Sequence, residues 1–526
     1  MRNLISLFKV QFLAFNGLNG SGKKRKQANT LGMMLLTVLL MAAAFAFFGY
    51  TYAKMFGVSL SHVDGANRLL PVMLSLSVFV NFFFSFYSAT NSLFGFKDYE
   101  LLASLPVKTR EVVFAKFVNM YVADLFFTAA IMIPSIVVSA DFGEPCNAAF
   151  VLKYVLIILF SPGFAIAASV MVGVILSAIS SLFRRKNLVN IILLLLFMLA
   201  VFGGSFVSGF NSAGDSGASA ALIEKIYFFV PWLVKAKSDF AYAVYFALVN
   251  LGCFVFVYAA ITLSYKKLNA ILTAKKKVKN FKLKNYEGKS VRSALFRKEM
   301  SRIFSCPVYA VNCIMGLVIS VIMGVVLIVV CITSGAEFGF SDGFGDYIAA
   351  FAPAALAFTY LLAPTTACSV SLEGQSFWII TTSPIEMKTL FNVKLLANAV
   401  FYVPGAIIVS VPVAILLKTS FAVGALCVLS AVLLAFLGGS LGLVFNLLFP
   451  KLKWDNETQA VKQSLPVFLT MICAFAVCAL FAVEAVFLPV SPVWKLFIAD
   501  AVMFVANILL YALIAEKGEK LIMKKL

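Results

Sequence analysis

Apolar residues run along this chain in long stretches separated by short polar ones. Twelve segments stand out, at about 31–53, 69–91, 117–139, 152–182, 188–210, 239–264, 308–333, 346–370, 392–417, 420–449, 465–488 and 493–515. A run of about 18 or more apolar residues reaches across a bilayer as a helix. Lipid offers no partner to a free backbone amide, so helix is the default for such a run. The ten-residue alternation of a membrane β-barrel is absent. Residues 1–17 show a different pattern: an apolar stripe broken by Arg2 and Lys9, which predicts an amphipathic helix lying on the membrane surface. The pattern has no cleavable signal peptide, because the small-residue cleavage site is missing. The expected fold is an all-α integral membrane protein of about twelve transmembrane helices, joined by short amphipathic helices.

Composition agrees with the pattern. Of 526 residues, 62% are hydrophobic and 13% charged, and the mean hydropathy is +0.99. Soluble domains carry about 25% charged residues. A soluble enzyme and a secreted disulfide scaffold are excluded. The net charge of +20 does not point to nucleic acid, because of where the charges sit. Thirty-five of the 43 Lys and Arg fall on the side of the termini and eight on the other side. By the positive-inside rule both termini are expected in the cytoplasm, as for a multi-pass protein of a bacterial plasma membrane. Lys275, Lys276 and Lys277 suit contact with anionic lipid.

The chain reads as one six-span unit used twice. After the second span of each half, Tyr99, Leu101, Leu102, Pro106, Val107 and Lys116 match Phe377, Ile379, Ile380, Pro384, Ile385 and Lys394, all offset by 278. In the fourth spans, Ala165, Ser169, Gly173 and Phe183 match Ala431, Ala435, Gly439 and Phe449, offset by 266. Before the first spans, Leu7-Phe8-Lys9 matches Leu295-Phe296-Arg297, offset by 288. An even span count per half makes the repeats parallel. The expected division is 1–264, a basic solvated linker at 265–292, and 293–526.

Residues with chemical potential are few. Gly17 to Lys24 approaches a phosphate-binding loop, but Lys24 stands where a hydroxyl residue should ligate magnesium, and no strand precedes it. The tract reads as a basic linker. His62 is the single histidine, so a histidine metal site is excluded. The nine cysteines contain no C-x-x-C and read as small apolar residues. Asp124, Glu484 and Asp500 lie within spans, where an acid is costly and suspect; Glu484 and Asp500 are expected near the outer ends, where water reaches. The stripes Ala165, Ser169, Gly173 and Ala431, Ala435, Gly439 repeat every four residues, which predicts helix faces packed closely. Tyr99 with Leu102, and Phe377 with Ile380, stand at i, i+3 on short helices ended by Pro106 and Pro384. Those helices are expected either to rest on lipid or to meet a cytoplasmic partner.

Taken in order and duplicated, these features resemble the membrane permease subunits of ABC exporters of the ABC-2 type, in a fused form with two six-span halves. The resemblance rests on the amphipathic segment before each first span and the aromatic-Leu-Leu or aromatic-Ile-Ile loop ending in proline. It rests also on the basic residues after each fourth span, Arg184-Arg185-Lys186 and Lys451-x-Lys453. The resemblance implies coupling helices at about 96–106 and 373–384 that dock on a separate cytoplasmic ATPase, in two copies, with Tyr99, Leu102, Pro106, Phe377, Ile380 and Pro384 at the contact. It implies ATP and magnesium on that partner and no cofactor in this chain. No non-membrane stretch is long enough for a nucleotide-binding domain. The rivals are a twelve-span secondary carrier coupled to an ion gradient, which needs an acidic ion site, and a membrane enzyme or scramblase, which needs a reactive cluster the sequence does not show.

Overall fold

The computed structural model describes residues 69–89, 107–141, 147–181, 188–193, 239–273, 290–333, 350–416, 420–454, 457–462 and 464–524, with 39, 42–43, 45–54, 93, 183, 196–197, 232 and 235. Helices and turns make up these residues, and no strand occurs among them. Nine described helices or helix runs are long and apolar enough to span, and a tenth span is bent. These ten correspond to ten of the twelve apolar segments. Of the other two, 31–53 lies about half, and 188–210 mostly, outside the described residues.

The chain divides into two compact units. Unit 1 is 1–186 with 208–278, and unit 2 is 187–207 with 279–526. The division at 278/279 falls inside the tract read as a linker. That tract is not all loop, because the last helix of unit 1 runs to Thr273 and buries Tyr265 and Asn269. Nothing in 265–273 breaks a helix, so the span continues past the membrane.

Unit 1 contains α1 (Leu69–Ser88), α2 (Thr109–Asp141), α3 (Ala148–Phe160), α4 (Pro162–Ser181) and α5 (Phe240–Thr273). Helix α2 begins eight residues before the apolar run does, so Lys116 is helical and buried instead of lying in a loop. Its ammonium donates to the Tyr265 hydroxyl at 3.3 Å. The apolar segment 152–182 is two helices, split at Ser161 by Pro162, which has no amide to give the preceding turn. Asn250 of α5 fills the gap: its Oδ1 accepts from the Phe164 amide at 3.2 Å and its Nδ2 donates to Phe246 O at 2.9 Å. A Cβ on Gly163 would stand 2.6 Å from the Asn250 carbonyl, so α4 and α5 cross backbone to backbone. The core of unit 1 is aliphatic and aromatic, from Leu69, Met73, Ile131, Tyr154, Ile157 and Phe246.

The 279–526 part of unit 2 begins with the amphipathic helix α6 (Val291–Ser305), followed by α7 (Pro307–Thr333). Ser290 caps α6, accepting from the Ser293 amide at 3.4 Å. Cys306 precedes a proline and is extended, and there the chain turns by 95°. Next come α8 (Ala352–Leu361), α9 (Thr366–Ser369), a 3₁₀ turn (Ser371–Ser376) and α10 (Phe377–Thr382). The long helices α11 (Met387–Leu416) and α12 (Phe421–Leu448), the short α13 (Glu457–Val461), then α14 (Leu465–Phe487) and α15 (Pro492–Met523) complete it. Helix α12 sits at the centre of the unit, against α11, α15 and the α8–α9 region.

Candidate functional site

The eighth apolar segment, 346–370, reads as one span but is broken. Helix α8 stops at Leu361, and Pro364 prevents its continuation. Broken backbone at membrane depth survives only where protein supplies the hydrogen bonds. Here four side chains on three helices, α7, α11 and α12, supply them. The Tyr309 hydroxyl donates to Thr365 O at 2.9 Å. The Tyr402 hydroxyl donates to Cys313 O at 2.5 Å and to Ala363 O at 3.2 Å. Asn398 Oδ1 accepts from the Thr365 amide and hydroxyl at 2.9 and 3.0 Å, while its Nδ2 donates to Ala435 O at 3.1 Å. Asn446 Nδ2 donates to Thr366 O at 3.0 Å, and its Oδ1 accepts from Ser371 Oγ at 2.6 Å.

The chain leaves this break through Gly374, at φ +60°, where glycine carries no steric cost. The Trp454 indole lies over it, its N–H donating to Ser371 O at 2.8 Å. Directly in this turn sits Glu373, buried with a 2% exposed side chain. Both its oxygens accept from Lys298 Nζ at 2.9 Å. Oε2 also accepts from Arg302 Nη2 at 2.7 Å, and Oε1 from Lys394 Nζ at 3.3 Å. Lys394, whose side chain is fully buried, donates in addition to Glu299 Oε1 at 2.8 Å and to Ser369 O at 3.1 Å. An ammonium has three protons, and Lys394 thus finds three acceptors. Two carboxylates and three cations therefore tie α6, the 3₁₀ turn and α11 into one block.

This cluster supports α10. Phe377 and Ile380 point inward, 1% and 6% exposed, and pack with Leu295, Val370, Leu390, Phe391, Leu443, Leu447, Ile514 and Ile522. The expectation that Phe377 and Ile380 form an outward docking face is thus corrected. The i, i+3 spacing locates a face but leaves its side open, and the apolar core claims it. The outward face carries Trp378, 61% exposed, and Ile379, 52% exposed, with Thr382 and then Pro384. Their first-half counterparts Tyr99, Leu102 and Pro106 lie outside the described residues, as do Gly17 to Lys24 and His62.

The remaining sequence candidates are placed as follows. Ala165, Ser169 and Gly173 are buried on α4, and Ala431, Ala435 and Gly439 on α12. Asp124 is 1% exposed and accepts from Ser85 Oγ at 2.5 Å. Asp500 is not open to water: it is 3% exposed, with Ser430 Oγ donating to it at 2.5 Å. The wide, centrally packed α12 covers the face on which Asp500 stands. Glu484 is half-buried on α14. Within unit 2, no hydrogen bond among the described residues joins Glu484 or Asp500 to the charge cluster. Among the described residues no group of His, Cys, Asp or Glu is arranged to hold a metal ion, and Cys253, Cys306, Cys313, Cys368, Cys427, Cys473 and Cys478 are free thiols.

The charge cluster was missed from sequence, although one signal existed. On α6, Leu295, Glu299 and Ile303 stand four apart on one buried face, and an acid in the middle of an apolar stripe demands a buried cation. Lys394 supplies it. The first half keeps the matching Lys116, but Gln11 and Gly95 stand at the positions of Glu299 and Glu373 by the offsets of 288 and 278. By these offsets the two acids of the cluster have no acidic counterpart in the first half.

No curated protein matches the chain. A family model described as "Membrane protein of 12 TMs" matches residues 31–515, from the first apolar segment to the last. The helices observed, the ten spans recovered and this match make the chain an all-α, twelve-span integral membrane protein, and it belongs to that family of membrane proteins of 12 TMs.

Proposed function

We propose that this chain is the membrane permease of an ATP-binding-cassette exporter of the ABC-2 type. It moves its substrate by alternating access, driven by a separate ATPase present in two copies. The observation that carries this reading is α10: a one-and-a-half-turn helix whose outer face is Trp378 and Ile379 and whose inner face is locked to the charge cluster. An exposed aromatic-aliphatic pair on a rigid mount suits a docking contact, since large aromatic side chains dominate binding energy at interfaces. The duplicated loop supports a second contact near 96–106. ATP and magnesium belong to the partner, and this chain contributes no catalytic residue. The bias of basic residues supports cytoplasmic termini in a bacterial plasma membrane.

The test separates the two faces of α10. Changing Trp378 and Ile379 together to aspartate should lower co-purification of the ATPase from native membranes at least tenfold, as for loss of a contact worth about 2 kcal/mol. Expression and thermal stability should be unchanged. Phe377→Asp and Ile380→Asp should instead destabilise the protein by burying a charge. Equal recovery of ATPase with the Trp378/Ile379 variant would remove α10 from the mechanism. The secondary-carrier reading rests on the buried Asp124 and Asp500. It predicts that no ATPase co-purifies and that collapsing the ion gradient with ATP intact stops transport.

Orientation is tested by impermeant thiol labelling. Cysteine placed at Lys282 should be labelled only after lysis, and cysteine at Ser212 in intact cells. The reverse result would invert the topology.

A further inference from the structure

Helix α6 has chemistry that the charge cluster does not use. At about 100° per residue, Leu295, Glu299 and Ile303 face into the unit, and Lys298 and Arg302 turn toward Glu373. The other flank carries Phe296, Met300 and Phe304, four apart and half-buried: Phe296 leans on the core around Leu295 and Phe377, the Phe304 ring lies 5.9 Å from that of Phe401, and each leaves part of its surface uncovered. Beside this apolar edge stand Arg292 and Arg297, both exposed. No ion pair engages either arginine among the described residues. The 95° bend into α7 sets α6 across the direction of a membrane span, and so along the bilayer surface. A helix in that position, with an apolar edge flanked by unpaired cations, meets the boundary between headgroups and acyl chains.

We propose that α6 is a binding site for anionic phospholipid, with Arg292 and Arg297 on the headgroup phosphate and Phe296, Met300 and Phe304 against the chains below it. Free phosphate would use the arginines and leave the apolar edge idle. A zwitterionic lipid would satisfy the edge and return little to the arginines, because its own ammonium cancels the phosphate. The site goes beyond the transport reading and does not depend on an ATPase. It also bears on α10: Lys298 and Arg302 of this same helix hold Glu373, so a lipid that seats α6 steadies the mount of the Trp378–Ile379 face.

Native mass spectrometry of the purified full chain, titrated separately with phosphatidylglycerol and phosphatidylcholine, tests this. Wild type should bind phosphatidylglycerol more tightly. Arg292→Gln with Arg297→Gln should lower that preference by about fivefold for each arginine, the worth of one cation at an anionic surface. Both positions are exposed, so the melting temperature should stay at the wild-type value. A control variant, Lys275→Gln with Lys276→Gln and Lys277→Gln, should keep most of the preference. Equal binding of both lipids by wild type, or an unchanged preference in the arginine variant, overturns the site. A preference lost in the lysine variant, alone or to the same extent as in the arginine variant, assigns the effect to bulk charge and overturns it too.

Discussion

Lys394→Met should unfold or severely destabilise this protein, by about 3–5 kcal/mol, the usual penalty for removing one partner of a buried pair. The side chain is fully buried, and its three donors go to Glu299, Glu373 and Ser369 O. Glu373 would survive the loss, since Lys298 and Arg302 remain on it. Glu299 would not. Its nearest other cation is Arg302 Nη1 at 4.0 Å, a nitrogen with no hydrogen bond of its own. A 2% exposed carboxylate would be left in apolar surroundings with a distant charge for company. Adding Glu299→Gln should therefore recover a large part of the loss, whereas independent sites would add. Lys298→Met should cost about 1 kcal/mol or less, because that side chain is 37% exposed and water screens it. Size-exclusion recovery after graded heating ranks the variants. Wild-type stability for Lys394→Met would mean that water reaches the cluster and the block is not rigid.

That ranking could not have been written from the sequence. Lys394 was visible as half of a repeated pair with Lys116, and Glu373 as a residue in a repeated loop, but nothing local says that they meet. Their partners on α6 lie 71 to 95 residues away. The spans themselves were legible because membrane insertion depends on length and apolarity, which are local. The break at Pro364 was not. Pro364 alone often bends a helix without ending it; here the side chains of Tyr309, Asn398, Tyr402 and Asn446 make it affordable to stop. The face of α10 shows the same limit. Spacing paired Phe377 with Ile380, and it was Leu295, Leu443 and Ile522, distant in sequence, that turned the pair inward.

The small-residue face of α12 bears the second large effect. A Cβ on Gly438 would stand 2.7 Å from Tyr360 O. On Gly442 it would stand 2.7 Å from Thr366 Oγ1, 2.9 Å from the Ala367 amide nitrogen and 2.9 Å from Pro364 Cγ. These neighbours are the backbone and proline ring of the broken span, which cannot rotate away, and the Thr366 hydroxyl, which donates to Gly439 O at 2.6 Å. Gly439 would meet Asn398 Nδ2 at 2.9 Å, a side chain already committed to Thr365 and Ala435. Helix propensity favours alanine over glycine by about 0.5–1 kcal/mol, so an open site should gain from the change. Gly252 on α5, with nothing within 4 Å, should gain. Gly438→Ala and Gly442→Ala should instead lose about 1–3 kcal/mol through overpacking, and leucine at Gly438, Gly439 or Gly442 should abolish folded protein. The opposite signs make thermal melting of the three alanine variants decisive. If Gly442→Ala melts above wild type, as Gly252→Ala should, α12 does not touch the break, and the seam between span 8 and span 10 is not where the glycines place it.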